Sequence, residues 1–514
     1  MKGAFRFPMI KIEGSGGSDP DPAVYCPANG YILEPGQDPY IPPVDIGTPG
    51  NEEIIILCSN TEVKYLSAKC GMSSSGQWYA EVYDGNGNYI ETSANMVSNN
   101  TYAYSFPSGY DYFIFKFKAV GTSTFLSYIN GNYTSAPFYG DYPILEVKFN
   151  TPNITTLQNA FSYVRSIRKV TFECTLNSLT NMSYMFQYGG MKLFTFPTSL
   201  PALTTVAYMF QYNGNIEKVD MGSSNVPVLS LLNNMFYASP SIYQTIFPSS
   251  MPEATNFTGC FYNSGLTKLM MPTSAPKVTT YSSFCRGSSI TGTIIIPESL
   301  VCTNIDSAFN TCSKVEKVIF QGNFPLCTVA QNICANAFKI TEFEFPRTMG
   351  NVSGGIGYGN FTNTYELRKL RLPDYSLETI QFSVVGSVMG NKVEHFWGDL
   401  ESPNAFTARD FYYPYGLVSI IDMPYFQAYR FNIGSSNAIA PVTYINIDWA
   451  RFNPGSSPGT PIIISANLDA TELNRIFTLL PIVTPGMYNV AVQSCPGYAT
   501  CNPAIATAKG WGVY

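Results

Sequence analysis

The sequence predicts a mainly β chain organised around a solenoid of units about 25 residues long. An apolar anchor recurs at that period, a short alternating strand follows each anchor, and proline closes many of the strands. The anchors run Leu157 to Phe161, Met182 to Phe186, Val206 to Phe210, Leu232 to Phe236, Phe257 to Phe261 and Ile305 to Phe309, with Phe284 expected to hold the place between the last two. A unit this short buries its apolar face only against its neighbours, so the six phenylalanines are expected to stack. The strands include Val170-Thr171-Phe172, Phe194-Thr195-Phe196, Val219-Asp220-Met221, Leu269-Met270-Met271, Ile294-Ile295-Ile296, Val318-Ile319-Phe320, Phe343-Glu344-Phe345 and Leu370-Arg371-Leu372. Their outer residues should point inward and their middle residue outward, as strand alternation requires. Pro197, Pro248, Pro272, Pro297, Pro346, Pro373 and Pro424 then close strands at one corner, since proline has no N–H to give to a ladder.

Taken in order, residues 1–50 hold nine prolines and eight glycines and read as an extended docking arm. Phe5, Phe7, Ile10 and Ile12 alternate with Arg6, Met9 and Lys11 there, so these four are the candidate anchors to a partner. Residues 51–140 carry short alternating runs such as Ile54–Leu57, Trp78–Tyr83 and Tyr112–Phe117, which predict a small β-sandwich. Asp84-Gly85-Asn86-Gly87-Asn88 reads as a hairpin turn. It also resembles a calcium loop but lacks the downstream Glu. The solenoid is placed at 141–466 and a C-terminal cap at 467–514. In that cap Leu473, Ile476, Phe477 and Leu480 fall at helical spacing behind Asp469 as N-cap.

Composition narrows the function. A net charge of −6 argues against nucleic acid as a partner. One histidine, His395, removes most imidazole chemistry from consideration. The twelve cysteines form no CxxC pair, so no metal or other cofactor is expected, and most should be reduced core thiols. Cys495 and Cys501 are close enough to be weighed as a disulfide. No apolar run is long enough to insert in a membrane, and the opening residues lack the apolar core of a secretory signal.

On the outward strand face the column Lys218, Thr245, Lys268, Thr293, Lys317, Glu342, Lys369, His395 places a lysine on every second rung. The spacing keeps like charges about 10 Å apart, which suits a solubilising face. It also suits a ligand strip made of Lys317, Glu344, Lys369, Arg371, His395 and Trp397, extended by Tyr412-Tyr413, because Arg and aromatic residues dominate contact hot spots. Glu342 and Glu344, on one face of one strand, keep a polysaccharide depolymerase in view. Ser353–Gly359 mimics a phosphate loop without the βαβ unit such a loop needs.

Asn181-Met182-Ser183-Tyr184-Met185-Phe186 with Met191–Pro197, and Leu367–Pro373, resemble the units of the BspA-type leucine-rich-repeat family and of mycoplasma surface-lipoprotein repeats. The resemblance implies a leucine-rich-repeat-like β-solenoid that binds surfaces or proteins, and it brings no catalytic residues. The ending, Asn474–Pro481 and Ala504–Trp511, resembles the tails of such repeats in virion proteins of gut-bacterial (crAss-like) phages. The leading expectation is therefore a non-enzymatic, homo-oligomeric bacteriophage virion protein at the virion surface, a fibre, spike or decoration subunit. Its partners would be other virion proteins or the capsid, and a host surface glycan or protein. The alternative is a BspA-like adhesin on a bacterial cell surface.

Overall fold

The computed structural model describes residues 24–25, 32–33, 42–60, 65–130, 143–297, 302–346, 348–349, 361, 364, 366–371, 375–376, 382–383, 395–397, 406–413, 420–423, 426–433, 439–440, 442–452, 454 and 459–514. Two compact units are present, Met1–Pro43 and Val44–Tyr514. In the first, Val24–Tyr25 pairs antiparallel with Ile32–Leu33. The proposed anchors Phe5, Phe7, Ile10 and Ile12 lie outside the described residues.

The second unit is mainly β, a β-solenoid of leucine-rich-repeat type preceded by antiparallel strands. Phe125–Asn130, Tyr65–Met72 and Thr101–Ser105 form one antiparallel sheet. Glu53–Ser59, Tyr112–Ala119, Gln77–Asp84 and Tyr89–Thr92 lie in another. Gln77–Asp84 alternates between buried and half-buried residues, and Trp78, Phe115, Phe117 and Tyr128 are buried in the core. The Asp84 hairpin is held by its own carboxylate, which accepts from the backbone N–H of Asn86 and Asn88 at 2.9 and 2.8 Å. A bond from the Asn88 side chain, together with those two, holds the Asp84 pKa below the usual carboxylate range. Glu53–Ser59 is buried along its whole length, because Ile46 covers Ile55 and Leu57 on the outer face.

The solenoid grows directly from this sheet. Ile144–Asn150 pairs antiparallel with Glu53–Ser59 on one side and parallel with Lys169–Phe172 on the other. Glu52 fastens the junction: its carboxylate accepts from the Phe125 N–H and the Asn153 amide, both at 2.8 Å. Tyr128 meets Phe161 at 5.7 Å between ring centroids, so the first coil stacks on an aromatic side chain of the antiparallel region.

Each coil turns through one repeated corner. In the first, the N–H groups of Leu157, Asn159, Phe161 and Tyr163 donate to the carbonyls of Asn181, Ser183, Met185 and Gln187 in the next coil. The intervening N–H groups of Ala160, Ser162 and Val164 donate back to Leu157, Asn159 and Phe161. These N–H groups are thereby all paired, as burial demands. The alternation requires two left-handed residues per coil, two places before and two after the anchor: Asn159 and Tyr163, Tyr184 and Tyr188, Tyr208 and Tyr212, Asn234 and Ala238, and so on to Asn332 and Asn336. A second ladder, missed in the sequence, runs beside it. Thr155 donates both N–H and hydroxyl to the Leu126 carbonyl of the antiparallel region, and Thr180, Thr204, Ser230, Thr255, Thr279 and Thr303 each donate both to one carbonyl of the preceding coil.

The anchors Phe161, Phe186, Phe210, Phe236, Phe261 and Phe309 are all buried. The first five form a stack with centroid steps of 5.8, 5.4, 5.5 and 5.3 Å. Phe284 does not continue it. Phe261 donates to the Phe284 carbonyl and Cys285 to the Ala308 carbonyl, so Cys285 occupies the anchor place and Phe284 the place of Met185, Met209 and Met235. The pair is inverted, large before small, and the Phe284 ring stands at 72° to Phe261 to fill the space that Cys285 leaves. Phe309 resumes the register and Cys334 follows it.

Among the described residues the parallel pairing is interrupted twice, between Lys169–Phe172 and Leu193–Thr195 and again after Gln244–Ile246. Leu193–Thr195, Lys218–Asp220 and Gln244–Ile246 form one stretch, and Leu269–Met271, expected as a strand, makes only a bridge through Lys268. Pairing resumes at Gly292–Ile296, where Gly292 at φ 70° introduces a register shift, and it continues through Val315–Phe320, Glu342–Glu344, Lys369–Arg371, His395–Trp397 and Ile420–Met423 to Tyr444–Ile447. The helix Ala470–Leu479, with Asp469 accepting from the Glu472 N–H at 2.8 Å, closes that edge. The Ile445 N–H donates to Glu472 at 2.9 Å, and the Arg475 guanidinium, paired with Glu472 at 2.7 Å, donates to the Ile445 carbonyl. One ion pair thus answers the backbone of the last strand, where a further strand would otherwise add. Cys495 and Cys501 are not bridged: their thiols donate to the carbonyls of Ile464 and Tyr498 at 3.2 Å.

Phe236→Ala should cost about 3–5 kcal/mol in chemical denaturation of the full chain, through the cavity it leaves in the stack. Cys285→Phe should destabilise by about 1–3 kcal/mol through overpacking against Phe284. The exchange Phe284→Cys with Cys285→Phe should recover part of that loss. An exchange no better than the single change would show that the two places are not coupled.

Candidate binding face

The parallel sheet carries two columns of register positions, on either side of the row that faces the core. In the first, Lys218 pairs with Gln244, and Gln244 with Lys268; farther along, Thr293, Lys317, Glu342, Lys369 and His395 occupy successive rungs. Thr245 is therefore not in the column. It pairs with Val219 and is buried, its hydroxyl meeting no hydrogen-bond partner among the described residues. Gln244 follows Lys218 by the same step that separates Phe236 from Phe210, so Gln244 holds the rung and Thr245 faces the other side of the strand. Lysine still returns on alternate rungs at 218, 268, 317 and 369.

The second column runs Asp220 and Ile246 in one stretch, then Ile295, Ile319, Glu344, Arg371, Trp397 and Asp422 in the other. Ile295 is 46% exposed, and Met270, two residues past the Lys268 bridge to Gln244, is 44% exposed. Lys317 reaches across the columns to Glu342 at 2.6 Å and Glu344 at 3.5 Å. Partial burial opposes the Lys317 charge, but the two carboxylates outweigh it and raise its pKa. Burial, and then the hydrogen bond with Glu342, raise the Glu344 pKa, with Lys317 offsetting part of the rise. The two carboxyls thus touch each other and share one lysine. A glycosidase needs its pair about 5 Å apart or more, with one free to take up a proton.

Arg371, expected in the exposed strip, is buried at 3% exposure and donates to the Phe345 carbonyl at 3.4 Å. Lys369 is exposed. His395 and Trp397 sit on the strand that follows, on the rungs of Lys369 and Arg371. Tyr412 and Tyr413 belong to a different parallel sheet, built on Phe406–Tyr413 and Phe426–Ile433, so the strip does not run into them.

Sequence reasoning passed over a second surface, at the corners. Tyr163, Tyr188 and Tyr212 stack at 4.7 Å per step, Tyr237 and Tyr262 at 4.7 Å, and Tyr184 on Tyr208 at 4.7 Å. The signal was present, since these tyrosines recur one coil apart on either side of the anchor phenylalanines. Among the described residues no group of three or more His, Cys, Asp or Glu side chains is placed to hold a metal ion, and no helix is long and apolar enough to cross a membrane.

Residues 133–257 and 230–356 match the model of the BspA type leucine rich repeat region, in 6 copies. Residues 133–356 form a BspA-type repeat domain. Among curated proteins nothing matches. The domain is a solenoid scaffold capable of binding a ligand or surface, it carries no catalytic signature among the described residues, and its sheet face carries the charge pattern described above.

Thr245→Val should raise stability by about 1 kcal/mol, because it removes a buried hydroxyl that has no partner; an unchanged midpoint would place Thr245 on the outside. Glu344 holds its proton in the folded chain above the ordinary glutamate value of 4.5. The protonated form's contribution is complete below that value and is lost as pH rises through the raised pKa. The melting temperature of the native chain should therefore fall relative to Glu344→Gln over that window. A constant difference between the two would show an unshifted carboxyl.

Proposed function

We propose that this chain is a homo-oligomeric adhesin of the BspA kind, displayed at a bacterial cell surface, which holds a host-surface protein or glycan against the outward face of its parallel sheet. The observation that carries this reading is the BspA-type repeat match over the same coils that bear the alternating lysines. A column with positive charge on every second rung attracts an acidic partner without crowding like charges, and the exposed Met270 and Ile295 add apolar area beside it. Solenoids present such faces over a long distance, and several weak contacts then act together.

The Pro/Gly-rich arm and the phage-like ending support a second reading, a virion subunit that docks through residues 1–50. Surface proteolysis of producing cells, set beside a protein census of purified particles, separates the two. For the adhesin reading, Lys218→Glu with Lys268→Glu should lower retention of the full chain on host cells about tenfold without shifting its melting temperature. Retention at the native level would remove the sheet face as the contact surface.

A further inference from the structure

We propose that the corner face of the first five coils is a second binding surface, built for a neutral polysaccharide lying lengthwise along the solenoid. The proposal rests on the binding-scaffold reading and adds a ligand class on a face distinct from the lysine column.

Charge is the first observation. The corner segments 156–163, 181–188, 205–212, 231–238 and 256–263 contain no Asp, Glu, Lys, Arg or His. What they present is tyrosine, glutamine, asparagine, serine and threonine, the residue types that give rigid amphipathic area and adaptable hydrogen bonds in antibody contact surfaces. Such a face neither attracts nor pairs an ionic ligand.

Geometry is the second. The rings of Tyr163, Tyr188 and Tyr212 lie within 12° of parallel, and Tyr184 and Tyr208 within 4°. Their π faces are spent on one another, and the Arg286 guanidinium lies over Tyr262 at 5.4 Å. The stack therefore offers little π face to a cationic ligand. Outward it turns ring edges, which carry the positive side of the quadrupole, and phenol oxygens. Ring edges favour the oxygen lone pairs of a hydroxyl-rich molecule. Gln187 and Gln211 run between the tyrosine rows, the amide of Gln187 donating to Gln211 at 2.7 Å. Donors and acceptors thus recur at the coil rise, a repeat comparable with one sugar residue.

Conformation is the third. Tyr163, Tyr184, Tyr188, Tyr208 and Tyr212 all have φ between 52 and 63°. Later coils fill the same places with Asn234, Gly259, Asn263 and Gly287, which accept left-handed backbone at lower cost, and with the smaller Ala238, Ser283 and Thr311. The fold does not ask for tyrosine there. A large side chain kept at a strained position points to a task outside folding.

Affinity electrophoresis of the full chain through gels containing dextran, yeast mannan, laminarin or starch tests the proposal, with alginate and heparin as charged controls. At least one neutral polymer should retard the chain and neither charged one should. Tyr188→Phe with Tyr212→Phe keeps the rings and removes the hydroxyls, and it should weaken retardation about tenfold at an unchanged melting temperature. Gln187→Ala, on the same face, should act in the same direction should the tyrosine pair fail to fold. Lys218→Glu with Lys268→Glu should retard like the native chain, so that failure of the sheet face and failure of the corner face are read separately. No retardation by any of the four neutral polymers overturns the proposal, as does retardation by the charged polymers alone or equal retardation of the tyrosine variants. Loss of cell retention in the tyrosine variants without neutral-polymer binding would assign the face to a protein partner and overturn it too.

Discussion

The solenoid depends on hydrogen bonds that run in one direction at the corners. Each coil donates alternate N–H groups to the next coil and returns the others to itself, so the corner can be buried without an orphaned group. The pattern exists only if two residues per coil adopt left-handed backbone, which costs on the order of 1 kcal/mol for a residue other than glycine. The phenylalanine stack behind the corner offsets that cost. Each ring lies on the next at 5.3–5.8 Å with water excluded, and each coil is stable only because its neighbours are present. Both ends of such an array need closure. Tyr128 and the antiparallel sheet supply the first rung, and the Glu472–Arg475 pair supplies the groups a last strand would lack.

Much of this was legible in the sequence because burial leaves a periodic trace. Phe161, Phe186, Phe210, Phe236 and Phe261 fix the repeat, and Asp469 with Leu473, Ile476 and Phe477 fixes the capping helix. Adjacent residues of like character were not legible. Phe284 and Cys285 are both buried, and hydropathy cannot say which of them sits on the stack; backbone alternation decides that. Gln244 and Thr245 are both polar, and only strand pairing, Lys218 with Gln244 and Val219 with Thr245, puts the first on the outer rung and the second in the core. The threonine ladder at Thr155, Thr180 and Thr204 was open to view, but a hydroxyl that donates to a backbone carbonyl has no signature in hydropathy.

The sheet face shows why residue type alone misassigns function. Lys317, Glu342 and Glu344 look like a ligand-binding cluster in a linear sequence, yet in the fold they neutralise one another. Their Coulomb energy is already used, and a ligand would have to break the cluster to gain from it. Arg371 is withdrawn in the same way, its guanidinium turned to the Phe345 carbonyl. The lysines at 218 and 268 sit opposite Gln244 and lie away from that cluster, so the positive potential of the sheet face belongs to the earlier coils.

Those earlier coils are also the ones that carry the tyrosines. A coil with a strand on one side and a corner on the other can present two chemistries from one backbone, because the core between them is fixed by the phenylalanine stack and does not constrain outward residues on either side. Charge accumulates on the strand side, where pairing across rungs can balance it. The corner side has no cross-rung partner of opposite sign, and side chains there stabilise one another by ring stacking and amide hydrogen bonds. The two faces therefore differ in chemistry for a reason rooted in backbone geometry: the strand sorts charge into columns, and the corner sorts aromatic rings into stacks.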